Sequence, residues 1–363
     1  MMFLDTFHTS VDLGTTNLLI GIRGEGIVFN EPFVLAIERD SGRIAAIGKE
    51  AELVAEKTPK SLTVTSPMRR GVIADYSLAE AFLKQSFRKC VRGRALRRPS
   101  VAVGIPTSAK DIDRQALYQV LENAGAGTIT CCHESIAAAV GLGLPIWEPR
   151  GVALCDVGGG VSEISVLCLG GVITTILLPL AGVDFNAAIR KYLQAVYNLN
   201  IGNRTAEYLK IQSSSSGAGE NDSMVTVSGV NRLAGLPQRL QVSTREVHQV
   251  MTPLFTQISD GIKKALRQVS PELMADVVES GIVVSGGGAL LSGLRHLIER
   301  EVGIAVTAAE EPLTCLAVGL MSALDDGRSN RARRHDDHFH RRGNSSDLDC
   351  PHERLHGRSG GAR

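Results

Sequence analysis

Short apolar runs alternate along the chain with segments whose apolar residues recur at helical spacing. Runs of strand length lie in Ser10–Arg23, Val101–Ile105, Gly151–Asp156 and Gly281–Ser285. Ser108–Asn123 carries its apolar residues on one helical face and predicts a helix. Strands and helices in alternation are typical of an α/β fold, in which helices cover the faces of a sheet.

Local signals predict the ends of three helices. The first helix is expected to close at Gly125. Two others are expected to open at capping boxes, Ser77–Glu80 and Ser243–Glu246, in which a serine precedes a glutamate by three positions. The predicted buried face of the first helix consists of Ile112, Ala116, Leu117, Val120 and Leu121.

Composition narrows the class of protein. The 363 residues, with a mass of 38.7 kDa, are enough for two domains with separate cores. Lys plus Arg (39) nearly balances Asp plus Glu (38), so the net charge of +1 argues against nucleic-acid binding driven by overall charge. Glycine is abundant (38 residues) and aromatic residues are scarce (4%), which favours glycine turns in an α/β protein over a β-sandwich.

The cysteines are typical of a protein in a reducing compartment, and the apolar runs predict neither a membrane span nor a secretory signal. The seven cysteines include the adjacent pair Cys131–Cys132 and show no metal-ligand spacing, which predicts reduced, buried thiols. No apolar run approaches the ~20 residues of a membrane span. The start of the chain lacks the basic region of a secretory signal.

Two segments have low-complexity composition. From residue 325 to 363, nine arginines and five of the nine histidines replace the aliphatic pattern, which predicts a disordered tail. A histidine metal site is the alternative for that tail. Gln212–Ser223 is polar and predicts an exposed loop between ordered elements.

Three segments combine the end of an apolar strand with small residues: Val11–Asn17, Cys155–Glu163 and Val284–Ala289. One glycine cluster is weak evidence, because tight turns need glycine for backbone reasons alone. In the first two, however, Asp12 and Asp156 each stand two residues before a glycine and are followed by hydroxyl residues. Such a hairpin offers N–H groups and hydroxyls to phosphate, and its aspartate can face a hydrated Mg²⁺. Two copies 144 positions apart suggest duplicated halves around one polyphosphate, and neither Walker A nor GxGxxG spacing occurs.

Together with further motifs, these hairpins make the chain resemble the actin-type ATPase superfamily and, within it, the MreB-type bacterial actins. The likeness runs in order from residue 10 to about residue 324 and leaves out the tail. Several motifs in one order are more specific than any single glycine run. The matching segments are Asp12–Asn17, Gly26–Pro32, Gly71–Tyr76, Asp156–Gly160, Leu169–Val172, Thr205–Lys210, Gly281–Leu291 and Pro312–Cys315.

The resemblance implies an actin-like, ribonuclease-H-like duplicated α/β fold. Two domains, each with a small subdomain, are expected to hold the nucleotide in a central cleft. The expected first half is 1–143 with its small subdomain at about 32–66, and the second half is 144–318 with its small subdomain at about 182–245. Residues 319–324 are the expected return helix to the first half, and 325–363 the basic, histidine-rich tail.

The resemblance also implies roles for individual residues. Asp12 and Asp156 would face Mg²⁺ and its waters. Glu134 would orient or polarise the attacking water, because phosphoryl transfer asks more for positioning than for covalent chemistry; the alternative for Glu134 is a carboxylate that serves a helix dipole. Glu207 and Lys210 would reach the adenosine from one face of a helix. The full set expected to contact the nucleotide is Gly14, Thr15, Thr16, Asn17, Gly158, Gly159, Gly160, Ser162, Glu207, Tyr208, Leu209, Lys210, Gly286, Gly287, Gly288 and Ala289.

The implied function is that of an ATP-binding bacterial actin homologue whose membrane-associated filaments direct cell-wall synthesis and cell shape. The implied cofactors are ATP and Mg²⁺. The implied partners are further copies of the chain, the anionic inner-membrane surface and the cell-wall elongation machinery, with no nucleic acid. The expected location is cytoplasmic, peripheral at the inner face of the cell membrane. The alternatives are a non-hydrolysing nucleotide-binding scaffold, a chaperone-type ATPase of the same superfamily, and a sugar or acetate kinase on the same fold.

The chain departs from the family pattern at three places near the expected nucleotide. His133–Glu134–Ser135 stands where the family has Glu-Glu-Pro, Val161 replaces a threonine, and Val183 replaces an acidic residue in a Gly-Gly-Asp-Glu segment. The resemblance implies a slow ATPase, and the lost hydroxyl and carboxylate keep the non-hydrolysing scaffold open.

Two segments are candidates for membrane contact. Met1–Phe7 supplies an apolar start, weakened by Asp5, and the arginine-rich Arg88–Arg98 falls at the position of a membrane-contacting loop in the family. Anionic head groups attract such a cluster by about 1 kcal/mol per charge. A solvated basic loop is the alternative, and nucleic acid is less favoured because no aromatic residues interleave with the charges.

Overall fold

The computed structural model describes residues 8–55, 61–90, 98–214 and 222–323. All of these residues belong to one compact unit. The predicted tail 325–363, the apolar start Met1–Phe7, most of the basic loop (91–97) and the centre of the polar loop (215–221) lie outside the described residues.

One five-stranded mixed sheet, called sheet I, contains the first Asp-Gly hairpin. Its strands are β1 (His8–Leu13), β2 (Asn17–Ile22), β3 (Gly26–Pro32), β9 (Ser100–Ile105) and β10 (Ile129–His133). They lie in the order β10-β9-β1-β2-β3. Strand β2 is antiparallel to β1 and to β3, whereas β9 is parallel to β1 and to β10.

A second five-stranded sheet, called sheet II, repeats this topology. Its strands are β11 (Val152–Val157), β12 (Ser162–Cys168), β13 (Gly171–Leu178), β17 (Ile282–Ser285) and β18 (Val306–Ala308), in the order β13-β12-β11-β17-β18. Strand β12 is antiparallel to β11 and to β13, and β17 is parallel to β11 and to β18. Each strand therefore has the neighbours and directions of its counterpart in sheet I, which confirms the duplication predicted from the hairpins.

Small sheets interrupt the two halves. Strands β4 (Leu35–Glu38), β5 (Ile44–Ile47) and β6 (Leu62–Thr65) form a sheet of order β5-β4-β6, against which helix α1 (Lys49–Ala55) packs. A short hairpin, β7 (Met68–Arg69) and β8 (Val72–Ile73), follows it. In the second half, β14 (Leu199–Asn200), β15 (Met224–Asn231) and β16 (Pro237–Ser243) form a sheet in chain order.

The remaining helices cover the sheets. They are α2 (Tyr76–Cys90), α3 (Asp111–Ala124), α4 (Glu134–Gly141), α5 (Gly182–Tyr197), α6 (Asn203–Gln212), α7 (Thr244–Leu266), α8 (Pro271–Ser280), α9 (Ser292–Val302) and α10 (Cys315–Ala323), with a 3₁₀ helix at Gly287–Leu290.

The predicted helix ends are partly confirmed. Ser243 Oγ accepts a hydrogen bond from Glu246 N, so Ser243 caps α7 as predicted. The other half of the predicted capping box is not formed, because the Glu246 carboxylate accepts from the hydroxyls of Tyr192 and Tyr197. Gly125 ends α3 in the left-handed conformation (φ 112°) that glycine adopts readily. The prediction that Ser77 caps a helix is wrong: α2 begins one residue earlier, and Asp75 Oδ1 accepts from Leu78 N.

The predicted buried face of α3 needs one correction. Leu117, Val120 and Leu121 are buried, but Ile112 is 69% exposed. Ile112 is the second residue of the helix, which starts three positions later than predicted. The predicted helical spacing of the buried residues is correct, but the prediction that Ile112 in the first turn contacts the core is wrong.

Helix α10 carries the chain back from sheet II to sheet I, where it packs on α4, β1 and β9. The crossing with α4 is close because both helices have glycine at the contact. A Cβ on Gly319 would lie 1.7 Å from the Ala137 carbonyl oxygen, and one on Gly141 would lie 1.9 Å from that of Cys315. This return contact joins the two halves through backbone packing.

None of the described cysteines is joined in a disulfide. Cys155, Cys168 and Cys315 are buried, and Cys90, Cys131 and Cys132 are half-buried. Among the described residues, none of the helices combines the length and the apolar character that a bilayer crossing requires.

Candidate nucleotide site

Asp12 and Asp156 come from equivalent places in the two sheets. Asp12 is the penultimate residue of β1 and Asp156 that of β11, and each of these strands is central in its sheet. Burial raises the pKa of Asp12 to about 7, and the negative charge of Asp156 contributes to that shift. The two predicted carboxylates are therefore brought together.

The glycine loops after these aspartates meet each other. The region between the two halves at which these loops, Gly14–Asn17 and Gly158–Ser162, meet is called the cleft from here on. A Cβ on Gly160 would lie 2.5 Å from Thr15 Oγ1, and a Cβ on Gly159 would lie 2.4 Å from Thr16 Cγ2. Gly158 N donates within its own loop at 3.0 Å and closes it as a tight turn. Only residues without a side chain allow this approach of the two loops.

Three further predicted residues of these loops make contacts within the protein. Gly14 tightens the first turn, since a Cβ there would lie 2.8 Å from the Asn17 carbonyl oxygen. Asn17 Nδ2 donates to Asn30 Oδ1 at 3.0 Å. Ser162 is fully buried, and its Oγ donates to the Leu180 carbonyl at 2.6 Å, so its hydroxyl hydrogen already has an acceptor.

Glu134 is the first residue of α4 and lies beside the two aspartates. Its Cγ occupies the space over Gly104, where a Cβ would come within 3.0 Å. A helix N-terminus favours an ionised carboxylate. Desolvation is the larger effect, and together with the charges of Glu163, Asp12 and Asp156 it raises the pKa of Glu134 well above its usual value.

Glu163 is a fourth carboxylate of this group, which sequence reasoning missed. It lies opposite Asp156 in the β11–β12 ladder and is 4% exposed. Its Oε1 accepts from Thr107 N (3.2 Å) and Thr175 Oγ1 (3.3 Å), which oppose the rise in pKa that burial causes. The available signal was a lone carboxylate inside Ser162–Cys168, a strand that is otherwise apolar or small and is buried throughout.

In the described part of the chain, the groups that shift the pKa values of these four carboxylates include no Lys or Arg side chain. Burial also raises the pKa of Asp156, although Ser285 Oγ donates to its Oδ1 at 2.7 Å. The groups that perturb all four are other carboxylates and neutral hydrogen-bond donors. An all-oxygen, surplus-acid donor set suits a hard divalent cation.

The donor set fits Mg²⁺ better than a directly coordinated transition metal. Within the described part of the chain, no group of three or more His, Cys, Asp or Glu side chains is placed to hold a metal ion. Mg²⁺ usually keeps several waters and is bound by one or two carboxylates together with substrate phosphates. Asp12 and Asp156 fit that mode of binding.

The side of the cleft formed by α5 and α6 carries an ion pair. Lys210 Nζ donates to Glu207 Oε2 at 2.7 Å, and Asn186 Nδ2 donates to the same oxygen at 2.8 Å. Lys210 is 8% exposed, and its Nζ lies 3.4 Å from where a Cβ of Gly182 would be. Gly182 N in turn donates to the Gly158 carbonyl at 3.1 Å. The Glu207–Lys210 face of α6 therefore reaches the second loop.

Not every predicted residue presents its side chain to the cleft. Leu209 and Ala289 are buried in the hydrophobic core of the second half. Tyr208 is half-exposed, and Gly287 is exposed. Helical spacing explains the α6 residues, because only the i and i+3 positions of the predicted stretch share a face.

The late glycine segment packs against the end of β11. Gly286 has φ 72°, and a Cβ there would lie 2.5 Å from the Val157 carbonyl oxygen. A Cβ on Gly288 would lie 2.4 Å from Val157 Cβ. The segment thus supports the second loop from behind.

Two sheets of one topology, paired Asp-Gly loops and a return helix between the halves define an actin-like protein. The crystal structure of MreB 5 of Spiroplasma citri bound to AMPPNP matches with a TM-score of 0.84 at 29% identity and covers 92% of this chain and 99% of that one. A MamK double helical filament matches with a TM-score of 0.75 at 22% identity, over 89% of this chain and 99% of that one, and supports the fold alone.

Sequence comparison identifies the family. The cell shape-determining protein MreB of Escherichia coli (strain K12) is 38% identical over 322 residues, which are 87% of this chain and 92% of that protein. The family described as MreB/Mbl protein matches residues 6–332. The chain therefore belongs to the MreB/Mbl family and is a bacterial actin homologue of the cell-shape-determining kind. Membership favours this branch over the chaperone-type ATPase and the sugar or acetate kinase.

Proposed function

We propose that this chain binds ATP with Mg²⁺ in the cleft and assembles into filaments at the inner face of the cell membrane, where they organise cell-wall synthesis and cell shape. One observation carries the proposal: duplicated Asp-Gly loops converge on a group of carboxylates whose pKa values are raised by burial and, for Asp12 and Glu134, also by the charges of their neighbours. A polyphosphate accompanied by a divalent cation matches this arrangement, because the loops offer N–H donors and the carboxylates are acceptors.

The nucleotide is held by backbone and side-chain groups of both halves. N–H groups of Gly159 and Gly160, with the Thr16 hydroxyl, are the proposed phosphate donors. Glu207 is the proposed partner of the ribose. The Lys210 ammonium group lies next to the second loop and attracts the negative charge of the phosphates. The AMPPNP bound to the Spiroplasma relative supports a nucleoside triphosphate as ligand.

Asp12 and Asp156 would hold Mg²⁺, which supplies neutralisation of phosphate charge. Glu134 would accept a hydrogen bond from the water that attacks the terminal phosphate. Burial and the neighbouring carboxylates raise the pKa of Glu134, which disfavours its ionised form in the free protein. A carboxyl group that must lose its proton before it can accept one is consistent with slow turnover.

Assembly into filaments is supported by the family and by the MamK filament, which shares the fold. Head-to-tail contacts between copies generate open filaments. The second small sheet offers apolar surface for such contacts, since Val230, Leu233 and Leu236 are exposed, Leu233 by 82%.

Membrane contact is proposed for Met1–Phe7 and Arg88–Arg98 on the grounds of their composition.

A second candidate is a nucleotide-binding scaffold that does not hydrolyse ATP. Val161 favours it, since this residue of the second loop stands where the family has threonine. Its Cγ2 lies 3.4 Å from where a Cβ of Gly71 would be, so the side chain packs as an apolar wall rather than as a hydroxyl donor.

Sedimentation of the full chain tests the proposed function. The chain is centrifuged with Mg²⁺ and ATP, ADP or no nucleotide, each with and without vesicles of anionic phospholipid. We expect ATP to increase the sedimenting fraction and vesicles to recruit it, and we expect Asp156→Asn to remain in the supernatant. If no nucleotide yields a sedimentable polymer, with or without vesicles, the filament proposal is wrong.

The membrane part has its own control. Deletion of Met1–Phe7 combined with neutralisation of Arg92–Arg98 is expected to abolish recruitment to vesicles while ATP-dependent sedimentation persists. Unchanged recruitment would contradict the assignment of these two segments.

A further inference from the structure

The β7–β8 hairpin reaches across the cleft through one arginine. Arg70 Nη1 donates to Asp184 Oδ2 at 2.8 Å, and Nη2 donates to Asp184 Oδ1 at 2.9 Å. Arg70 Nη1 also donates to the Pro179 carbonyl. A guanidinium that meets a carboxylate through two parallel hydrogen bonds is the strong and directional form of an ion pair. The hairpin belongs to the first half, whereas Pro179 and Asp184 follow β13 in the second.

The backbone of Arg70 and the carboxylate of Asp184 are each held by local structure. Arg70 has φ 51°, in the left-handed region that costs a non-glycine residue about 1–2 kcal/mol. Asp184 Oδ2 accepts from Ala181 N at 2.9 Å, and the carboxylate lies in the first turn of α5, where the helix dipole favours negative charge. Arg70 thus adopts an unfavourable backbone conformation, and its side chain contacts an acceptor that is already held in place. Such strain suggests that the contact has a function.

The same hairpin touches both phosphate loops. Gly71 N donates to Thr15 Oγ1 at 3.0 Å. Ser66, two residues before β7, places its Oγ 3.2 Å from the Met68 carbonyl oxygen and 3.5 Å from that of Thr15. On its other side, Gly71 packs against Val161 of the second loop. Opening the cleft by moving the halves apart would therefore separate Arg70 from Asp184 as well as separating the two loops.

We propose that Arg70 is a positioning residue that clamps the cleft over a bound nucleoside triphosphate and slows its release. The proposal rests on the proposed binding of ATP in the cleft. Release of a ligand held between two halves requires them to open, so contacts that must break during opening control the dissociation rate. The Arg70 side chain is 45% exposed and that of Asp184 is 23% exposed, so salt screens the clamp in part.

Release of a fluorescent ATP analogue tests the clamp. The full chain is loaded with Mg²⁺ and the analogue, and release is followed by stopped-flow after mixing with excess unlabelled ATP. Arg70→Ala is expected to raise the dissociation rate constant about three- to tenfold and to change the association rate constant less than about twofold. Raising NaCl from about 0.05 M to about 0.5 M is expected to narrow the difference between wild type and variant.

A double-mutant cycle separates the clamp from a general structural role. Asp184→Asn removes the charge and keeps an oxygen for Ala181 N. This variant is expected to speed release as Arg70→Ala does, and the double variant is expected to be no faster than either single one. Arg150→Ala is the matched control, because its partner Glu279, at 3.2 Å, lies in the same half; wild-type release is expected there.

The possible results discriminate between the two proposals. Unchanged release from both Arg70→Ala and Asp184→Asn, or additive effects in the double variant, would overturn the clamp while ATP binding stands. If the wild-type chain binds no analogue, the proposed nucleotide binding is wrong and the clamp falls with it. Should Arg70→Ala fail to fold, Asp184→Asn reports on the same contact from the other half.

Discussion

The Glu134 side chain lies in the space that the missing side chain of Gly104 leaves free. A Cβ at position 104 would come within 3.0 Å of Glu134 Cγ. Gly104 is in β9, which neighbours β1 in sheet I, so this space lies beside the strand that carries Asp12. The position of the proposed water-orienting carboxylate therefore depends on a glycine in a neighbouring strand.

Replacement of Glu134 is expected to affect turnover and leave binding intact. Glu134→Gln keeps the size of the side chain but cannot accept a proton, so phosphate release should fall on the order of 100-fold. Gly104→Ala should lower it as well, by displacing the Glu134 side chain. Phosphate release at saturating ATP is the measurement, and Glu52→Gln, on the exposed face of α1, is the control. Equal rates in wild type and Glu134→Gln would remove Glu134 from the mechanism and favour the non-hydrolysing scaffold.

The raised pKa of Asp12 predicts how stability varies with pH. Unfolded Asp12 ionises near pH 3.8 and folded Asp12 near about pH 7. Between these values the folded state keeps a proton that the unfolded state has lost, so Asp12 makes the nucleotide-free protein less stable as pH rises from about 4 to about 7. The pKa values of Glu134, Asp156 and Glu163 shift in the same direction and add to this trend.

Thermal melting of wild type and Asp12→Asn isolates this contribution. Without nucleotide, Asp12→Asn should gain stability relative to wild type as pH is raised, and should melt higher at pH 8. Mg²⁺ with ATP should stabilise wild type and have little effect on the variant. Parallel pH profiles for the two proteins would contradict the burial of Asp12 next to other carboxylates.

Ser162→Ala is expected to lower stability without affecting the nucleotide. The Ser162 hydroxyl donates to the Leu180 carbonyl inside the protein, so its loss should cost about 1 kcal/mol. Nucleotide affinity should stay within about twofold of wild type. Urea unfolding and ATP titration measure the two effects, with the exposed Ser322→Ala as control. A large loss of affinity at unchanged stability would restore Ser162 to the phosphate site.

Gly319→Ala is expected to destabilise the protein. Alanine is favoured over glycine in a helix by about 1 kcal/mol. Here its Cβ would lie 1.7 Å from the Ala137 carbonyl oxygen, and overpacking against backbone costs typically 1–3 kcal/mol or more, so the clash should win. A lower urea midpoint is the predicted result, whereas Val318→Ala, on the exposed side of α10, should change little. A higher midpoint for Gly319→Ala would mean that the two helices are free to separate.

Much of the fold could be predicted from the sequence, because the signals for it are local and occur twice. Asp-Gly hairpins after apolar strands predicted two matching halves, and the serine cap at Ser243 and the closing glycine at Gly125 were predicted correctly. The errors came where tertiary context decides. Nothing local distinguishes the exposed Ile112 from its buried neighbours on α3, and Asp75, one residue outside α2, outcompeted Ser77 as a cap.

The site was predicted less completely than the fold. Glu163 was missed because its role depends on Asp156 lying opposite it in the next strand. Arg70 was missed because its partner is 114 positions away in sequence. Ser162 was assigned to the nucleotide through the family resemblance, and the packed structure gives its hydroxyl a backbone acceptor that no local sequence signal indicates.

Titration of ATP into the full chain tests the central claim most directly, namely that the two Asp-Gly loops form one Mg²⁺-dependent nucleotide site. Calorimetry with Mg²⁺ and with EDTA compares wild type, Asp12→Asn and Asp156→Asn. We predict a single site per chain, whose affinity falls at least about tenfold on removal of Mg²⁺ or of either carboxylate. An affinity that is insensitive to Mg²⁺ and unchanged in both variants would contradict the account.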